Sequence, residues 1–217
     1  FLIMQKQILD SKPQLIVSIR GKGNRYLLEL DTGKHLKYHK EAILGLGIDK
    51  GTLLDDNLLQ KLIKTEEQIE AHESALRLLS YRARSENELI KRLRQKAISE
   101  PIIQKEISRL RNSGLVNDTE FAHLWVKERG TGGSARSRRL LSLELRTHGI
   151  NEEILEEALA STDDNNAALQ VARKKARQLT DTERKFFQKR LTSALKQKGF
   201  EYEVIRNTIE IVWNETN

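Results

Sequence analysis

Three stretches of this sequence share one pattern, and it decides the fold: Leu89-Ile-Lys-Arg-Leu-Arg-Gln-Lys-Ala-Ile98, Leu141-Ser-Leu-Glu-Leu-Arg-Thr-His-Gly-Ile150 and Leu191-Thr-Ser-Ala-Leu-Lys-Gln-Lys-Gly-Phe200. In each, a leucine recurs after four residues, a basic residue follows it, and a small residue precedes a large apolar one. Leucines four apart share one helix face, and glycine after a helix permits a tight turn. Each stretch is therefore predicted to be an amphipathic helix ending in such a turn. Ala97 replaces the glycine of the other copies, so the first copy must turn without a positive φ or accept strain.

The same register continues on both sides of these stretches, which makes each of them part of a larger repeat. Apolar residues recur downstream and alanines recur upstream at matching distances: Ile102/Ile103, Ile154/Leu155 and Val204/Ile205, then Ile107, Leu159 and Ile209, and upstream Ala75, Ala122 and Ala172. Each unit is predicted to contain three helices over about 50 residues, the length at which one helical repeat packs on the next.

The first part of the chain reads differently. Leu15–Arg20 and Tyr26–Asp31 are β-prone runs on either side of a glycine turn, and Lys37–His39 follows a second turn, so a small meander is predicted. Leu53–Leu62 is predicted to form a short helix leading away from it. The predicted fold is mainly α, with three tandem three-helix (helix-turn-helix-like) repeats in an elongated array after a small β-rich N-terminal region. The predicted limits are 1–64 for that region and 65–115, 116–162 and 163–217 for the repeats.

Local signals predict where several helices begin and end. Ser85–Glu88 and Thr180–Glu183 both have the form of a capping box, and Gly114 stands where the last helix of the first repeat should stop. The glycine-rich run Gly130–Ala135 interrupts the second repeat. It lacks the spacing of a phosphate-binding P-loop, so a flexible connector is predicted there.

The composition indicates an anionic partner. The chain has 38 basic and 31 acidic residues and a net charge of +7, so nucleic acid is the first candidate. With no cysteine, disulfides and thiolate metal sites are excluded. No apolar stretch is long enough to span a bilayer, and a cytoplasmic protein is predicted.

Catalysis finds little support in the residues. The five histidines are scattered, and the pair at His35 and His39 lies on a predicted strand, where that spacing is not a metal pair. We therefore predict no catalytic residue, no metal and no cofactor. Phe121 and Trp125, one helical turn apart, are predicted to be core residues rather than platforms on which bases stack.

Basic residues are the candidate binding groups. Those of the first two repeats are taken as the predicted site: Arg82, Arg84, Lys91, Arg92, Arg94, Lys96, Arg129, Arg136, Arg138, Arg139 and Arg146. Further cations crowd the third repeat between Arg173 and Lys198. Together they predict a long basic face for phosphates or acidic protein surfaces. The alternative for any single residue is a solvated helix back with glutamate partners nearby.

An ordered set of residues resembles the RecX family. It runs from Ala75-Leu-Arg-Leu-Leu-Ser-Tyr-Arg-Ala-Arg-Ser-Glu-Asn-Glu-Leu89 through Leu93–Lys96 and Leu110–Leu115. It continues at Asn117-Asp118, Phe121-Ala122, Trp125-Val126, Arg129, Arg138, Arg139, Leu145 and Gly149-Ile150. The resemblance covers residues 65–213 and is strongest over 75–160. Ala83 departs from the family pattern, and the third repeat follows it only loosely.

The resemblance implies a regulator of the RecA recombinase that is not an enzyme. Such a protein binds along RecA–single-stranded DNA filaments, limits their extension, and dampens ATP hydrolysis and strand exchange, in DNA repair, recombination and SOS regulation. The implied partners are RecA in its filament, single-stranded DNA and, as a further ligand, duplex DNA. A monomer that makes no membrane contact is implied as well.

Two other classes remain open from the residues alone. Three-helix units with a tight turn also suit a helix-turn-helix transcription regulator, although no helix is rich in the side chains that read base edges. An adaptor-like repeat protein without nucleic acid contacts is the third possibility.

Overall fold

The chain is mainly helical, with a small antiparallel sheet at its N-terminal side. The computed structural model describes residues 12–179 and 183–216. These fall into two compact units. One is formed by the residues up to Arg82 together with Leu89–Leu115, and the other by Ala83–Glu88 together with the residues from Val116 onward.

The predicted meander is present. Strands β1 (Gln14–Lys22), β2 (Arg25–Leu30) and β3 (His35–His39) pair antiparallel in sequence order. A fourth strand, β4 (Leu53–Leu54), pairs with the start of β1 and gives the order β3-β2-β1-β4. Helix α1 (Lys40–Gly45) follows β3. Buried side chains from the strands, α1 and the next helix form one apolar core.

The prediction of a short helix over Leu53–Leu62 is wrong at both ends. Leu53 and Leu54 are taken by β4, and the helix begins only after Asp55, whose carboxylate accepts a hydrogen bond from the Leu58 amide at 2.7 Å. Helix α2 then runs without a break from Asp56 to Leu79. Between Leu62 and Leu79 the chain has neither glycine nor proline, so nothing local stops the helix at the predicted limit.

The remaining helices form the repeats. Their bounds are α3 (Glu86–Gln95), α4 (Glu100–Asn112), α5 (Asp118–Arg129), α6 (Arg138–Thr147), α7 (Glu152–Leu159), α8 (Asp164–Ala176), α9 (Arg184–Gln197) and α10 (Tyr202–Thr216). The second repeat comprises α5, α6 and α7, and the third comprises α8, α9 and α10. In the first, α3 and α4 follow the C-terminal half of α2.

The predicted apolar positions of the repeats form the core. All nine of the defining residues are buried: Leu89, Leu93, Ile98, Leu141, Leu145, Ile150, Leu191, Leu195 and Phe200. The upstream alanines Ala75, Ala122 and Ala172 are fully buried too, as predicted for the first helix of each repeat. The prediction of a mainly α fold built from three-helix repeats is confirmed.

The three turns share one left-handed backbone conformation. The φ angles are +59° at Ala97, +80° at Gly149 and +84° at Gly199. Of the two outcomes predicted for Ala97, the chain therefore takes the strained one, since a left-handed conformation costs a residue with a Cβ about 1–2 kcal/mol. Within the described residues, Ala97 is the one residue other than glycine with a positive φ.

The capping signals were informative at two of the three predicted positions. Ser85 and Glu88 form the predicted box, with the Glu88 amide donating to Ser85 Oγ at 3.2 Å and the Ser85 amide to Glu88 Oε2 at 3.4 Å. Helix α4 ends at Asn112, and Gly114 follows with a φ of +70°. The predicted box at Thr180–Glu183 includes residues 180–182, which lie outside the described residues.

The glycine turns of the second and third repeats each pack on a buried serine of the preceding repeat. Ser85 Oγ donates to the His148 carbonyl at 2.7 Å, and the Ser137 amide donates to the Lys198 carbonyl at 3.0 Å. Both serines are fully buried. A Cβ at Gly149 would lie 2.2 Å from the side-chain nitrogen of Asn87, and one at Gly199 would lie 2.7 Å from Ser137 Oγ. Glycine is required at both turns because of the neighbouring side chains as well as the φ angle.

An aspartate completes this docking in the same way each time. Asp118, the first residue of α5, accepts the Glu86 amide at 2.9 Å, and Asp164, the first residue of α8, accepts the Arg138 amide at 2.7 Å. Both amides lie in the first turn of a helix, where backbone donors have no partner within the helix. Each repeat thus satisfies the helix start of the one before it.

Candidate nucleic-acid interface

Most of the predicted binding residues form ion pairs with glutamates of the same chain. Seven of the eleven form ion pairs with glutamates: Arg84 with Glu88, Arg94 with Glu100, Lys96 with Glu70, Arg129 with Glu128, Arg136 with Glu144, Arg138 with Glu156, and Arg146 with Glu152. A cation in such a pair has less charge to offer an external phosphate, because its partner must first be displaced. These seven residues are therefore less available to a partner than their formal charges suggest.

Two of these pairs repeat at the same place. Arg94 donates two hydrogen bonds to Glu100, of 2.9 and 2.8 Å, and Arg146 donates two to Glu152, of 3.2 and 2.5 Å. Each arginine lies in the last turn of the second helix and each glutamate is the first residue of the third, so the pair spans the tight turn. The third repeat has Lys196 and Tyr202 at these places and no such bridge.

The bridges change how their glutamates titrate. The hydrogen bond from Arg94 lowers the pKa of Glu100 to about 2, with a smaller effect from Gln104. The hydrogen bond from Arg146 lowers the pKa of Glu152 in the same way. All four side chains are solvent-exposed, so the bridges orient the turn more than they stabilise the fold.

Arg138 and Arg136 are tied into the second repeat. The Arg138 guanidinium donates to the Leu159 carbonyl at 2.7 Å, at the last residue of α7, and to Glu156 Oε2 at 2.6 Å. Arg136 pairs with Glu144, whose other oxygen accepts the Trp125 indole N–H at 2.9 Å. Both arginines are therefore engaged in hydrogen bonds within their own repeat, and their acceptors have other donors as well: Thr162 for the Leu159 carbonyl and Trp125 for Glu144.

Phe121 and Trp125 pack in the core of the second repeat, as predicted. Phe121 is buried, Trp125 is half-buried against the same cluster, and their ring centroids are 5.5 Å apart. The guanidinium of Arg129 lies 3.5 Å from the centroid of the Trp125 ring. Because that face is covered, the indole is not a platform on which a base can stack, and Arg129 contributes to packing.

Three of the predicted residues are exposed cations that form no ion pair with a described residue. They are Lys91, Arg92 and Arg139, of which Arg92 donates to Gln95 at 3.1 Å. Lys91, Arg92 and Arg139 are therefore the members of the predicted site that could reach a partner without breaking an ion pair with a described residue. Arg82 is exposed, next to the exposed Tyr81.

The third repeat supplies uncommitted cations that the predicted site left out. Helix α9 contains five basic residues and no carboxylate: Arg184, Lys185, Lys189, Arg190 and Lys196. Of these, Arg184 pairs with Glu210 at 2.6 Å, and the other four form no ion pair with any described residue. The signal that could have singled them out was the absence of acidic residues three or four positions away on α9.

The glycine-rich run before α6 is packed rather than free. Residues Gly132–Ser134 form one turn of 3-10 helix, and the Gly132 amide donates to Gln170 Oε1 on α8 at 2.5 Å. A Cβ at Gly133 would lie 2.1 Å from Cδ of Lys174. The predicted flexible connector is therefore wrong, because glycine allows this run to lie directly against α8.

Four of the five histidines lie beside a glutamate carboxylate: His39, His72, His123 and His148. His39 is buried at the end of β3, with Nδ1 2.9 Å from Glu66 Oε1 and Nε2 3.2 Å from Glu73 Oε2. Over residues 12–179 and 183–216, no group of three histidine, aspartate or glutamate side chains could hold a metal ion. Within the same residues, no helix has the length and apolarity needed to cross a membrane.

Fold and surface together define a class: a tandem repeat protein of three-helix units with a basic surface, joined to a small β-sheet region. Two family models match parts of this chain. The model described as "RecX, first three-helix domain" matches residues 71–110, and "RecX, third three-helix domain" matches residues 162–209.

Relatives and solved structures point the same way. A "Regulatory protein RecX" of Amycolatopsis mediterranei is 35% identical over 133 residues, which cover 60% of this chain and 75% of the relative. One of Geobacillus thermodenitrificans is 30% identical over 173 residues, 78% of this chain, and the match spans 64% of that relative's length. The chain belongs to the RecX family.

Two solved structures share the fold. A crystal structure of regulatory protein RecX aligns with a TM-score of 0.59 at 23% identity, covering 93% of this chain and 99% of that one. That of RecX from Lactobacillus salivarius aligns with a TM-score of 0.56 at 26% identity, covering 68% and 97%. The relatives are named regulatory proteins.

Proposed function

We propose that this protein is a cytoplasmic regulator, not an enzyme, that binds RecA–single-stranded DNA filaments as a monomer. It inhibits filament extension, ATP hydrolysis and strand exchange, and so acts in DNA repair, recombination and SOS regulation. Membership of a family of regulatory proteins named RecX is the observation that carries the proposal. The limits 65–115, 116–162 and 163–217 for the repeats belong to the same proposal.

The mechanism follows from the repeats. An array of basic three-helix units lies in the groove of the filament and contacts neighbouring RecA protomers and the DNA between them. Bridging neighbours hinders the protomer motions that accompany ATP turnover and blocks addition of the next monomer. Supporting this, the unpaired cations are distributed along the chain, from Lys91 and Arg92 through Arg139 to α9.

The direct test is the DNA-dependent ATPase activity of RecA as this protein is added, before or after filament assembly. We expect inhibition in both orders, and stronger binding to filaments than to bare single-stranded or duplex DNA. Preference for a defined duplex sequence, with no effect on filaments, would instead establish a helix-turn-helix transcription regulator. Lack of binding to any nucleic acid or filament would leave the adaptor class.

Two matched double variants test which arginines make the contact. Arg92→Gln with Arg139→Gln removes two exposed cations that form no ion pair with a described residue, one from each of the first two repeats. Arg94→Gln with Arg146→Gln removes two that form bridges to glutamates. We expect the first pair to raise the concentration for half-inhibition roughly tenfold and the second to raise it less, since each lost phosphate contact weakens binding severalfold. The opposite ranking would show that the bridged arginines are the binding residues.

A further inference from the structure

An open groove lined by cations of the third repeat lies between that repeat and the glycine-rich turn of the second. Its volume is about 420 Å³, and its walls are the 3-10 turn at Gly133–Ser134, the C-terminal part of α8 and the C-terminal half of α9. Lys174 and Lys175 belong to α8, Arg190 belongs to α9, and Lys198 is the C-cap residue that follows α9. All of these residues lie in the same compact unit.

The charge of this groove is uncompensated. No carboxylate is among its lining residues, and none of the four cations forms an ion pair with a described residue. Lys175 donates instead to Gln178 at 2.9 Å, and the Arg190 guanidinium lies 5.0 Å from the centroid of the Phe186 ring. Like charges held together repel each other, and an anion bound between them relieves that repulsion.

The neighbouring Arg173 is paired with a carboxylate of the described residues, unlike the cations that line the groove. It lies one residue before Lys174 and forms a two-bond pair with Glu215, at 2.9 and 2.6 Å. Arg184, at the start of α9, pairs with Glu210. The third repeat therefore has acidic partners for its cations, and it places them outside the groove.

The glycine turn supports one side of the groove. Gly133 has no Cβ, and the stem of Lys174 occupies the space a Cβ would fill. Hydroxyl donors line the same groove, from Ser134 on the turn and Ser193 on α9. Ammonium, guanidinium and hydroxyl donors together form a surface suited to phosphate oxygens.

The lining also indicates which part of a nucleic acid is bound. No aromatic side chain lines the groove, so it offers nothing on which a base can stack. An open, donor-rich channel suits a run of phosphodiesters rather than an enclosed small molecule. Contacts of this kind are independent of base sequence.

We propose that this groove binds the phosphate backbone of single-stranded DNA, and that it is the principal DNA contact of the protein. The inference rests on the proposed function, since DNA held in a RecA filament is the ligand that function supplies. The paired arginines of the first two repeats then serve the fold, and the third repeat carries the electrostatic attachment.

A salt titration with matched variants tests the proposal. Binding to a fluorescein-labelled oligothymidylate is followed by anisotropy for the full chain, for Lys174→Gln with Arg190→Gln, and for Lys185→Gln with Arg206→Gln. The control pair also removes one exposed lysine and one exposed arginine, neither of which lines the groove. We expect the groove pair to weaken binding at least tenfold and to reduce the slope of log K against log salt by about 1.4, at about 0.7 per phosphate contact. Equal losses in both pairs would overturn the groove and leave general surface charge as the explanation.

A footprint on the unmodified protein guards against a folding defect in the variants. Lysines are acetylated with and without the oligonucleotide, and the modified sites are mapped by mass spectrometry. We expect protection of Lys174, Lys175 and Lys198, with Lys185 and Lys189 unchanged. Protection confined to the last two would overturn the proposal.

The RecA ATPase assay separates this inference from the proposed function. If the groove variant keeps full binding to DNA and full inhibition of RecA, the groove assignment fails and the proposed function stands. If the unmodified protein binds DNA through the groove but has no effect on RecA filaments, the proposed function fails and the groove remains a DNA site. Binding of anionic lipid vesicles or an acidic protein at the groove, without binding of the oligonucleotide, overturns the inference.

Discussion

The turn at Ala97 and the turn at Gly149 have nearly the same backbone and very different surroundings. At Ala97 a Cβ is present in the left-handed conformation, and the residue is exposed. At Gly149 the same atom would fall within 2.5 Å of Cβ and Cγ of Asn87. The comparison separates two reasons for glycine in a helical repeat. The φ angle alone makes glycine preferable, whereas close packing of the next repeat makes it necessary.

Among variants that test this difference between the two turns, Gly149→Ala should have the largest effect on the free energy of unfolding. It adds the cost of a left-handed alanine to that of overpacking against Asn87, and we expect a loss of about 3 kcal/mol in the free energy of unfolding. Urea denaturation followed by circular dichroism measures it. Gly114→Ala is the control, because its φ is +70° but a Cβ there meets nothing within 4 Å. The control should lose only about 1 kcal/mol; equal losses would show that packing at Gly149 is unimportant.

Ser85→Ala should have the second largest effect. It removes the donor to the His148 carbonyl and the acceptor for the Glu88 amide, both at a buried site. We expect a loss of about 2 kcal/mol in the free energy of unfolding, by the same denaturation measurement. The matched control is Ser99→Ala, since Ser99 stands at the N-cap of α4 but forms no capping bond and is exposed. If both alanines cost the same, the two buried hydrogen bonds of Ser85 stabilise the fold no more than the exposed bond of the Ser99 hydroxyl to Glu67.

Ala97→Gly should have a small effect of the opposite sign. Relief of the left-handed strain outweighs the extra freedom of glycine in the unfolded chain, and we expect a gain of about 0.5 kcal/mol. The midpoint of thermal unfolding, compared with that of the original chain, is the readout. A clear loss of stability would mean that the Ala97 side chain makes a stabilising contact.

The titration of Glu100 tests the Arg94–Glu100 bridge across the turn at Ala97, and the bridge should have only a small effect on stability. The Glu100 pKa of about 2 lies below the ordinary value of 4.5, because of the hydrogen bond from Arg94. The contribution of the bridge is therefore present above pH 4.5 and is lost as the pH falls through the interval down to about 2. Carboxyl chemical shifts should place the midpoint near 2, and Arg94→Gln should return it toward 4.5. An unchanged midpoint in that variant would exclude Arg94 as the cause.

Periodicity was enough to predict the repeats, because the core of each one is local. Leu89 and Leu93, and their counterparts, mark buried faces at fixed spacings, so self-comparison of the sequence finds them. The capping box at Ser85 was equally predictable, since all of its atoms lie within four residues. The continuous helix α2 was not, because a change in composition at Thr65 looked like a boundary although no residue there stops a helix.

Contacts distant in sequence could not be predicted from one chain. The bond from Ser85 to His148 joins residues 63 positions apart, and the Arg94–Glu100 bridge needs the geometry of the turn between them. The basic residues could not be ranked from the sequence for the same reason. Every arginine adds equally to the net charge, whereas the partner glutamates decide which cations are available. The proposed DNA contact therefore uses cations of the third repeat in place of those of the first two.

The serine on which each glycine turn is seated has a consequence for how the three copies can be exchanged. At the matching place, four residues before Leu191, the third repeat has Phe187, which lies inside α9 and is buried. A first copy moved to second place would bring the Ala97 methyl group into the space of Asn87. A third copy moved forward would set an apolar ring where the serine hydroxyl donates to a backbone carbonyl. The duplicated units are thus no longer interchangeable, and their order is encoded by an alanine at one end and a phenylalanine at the other.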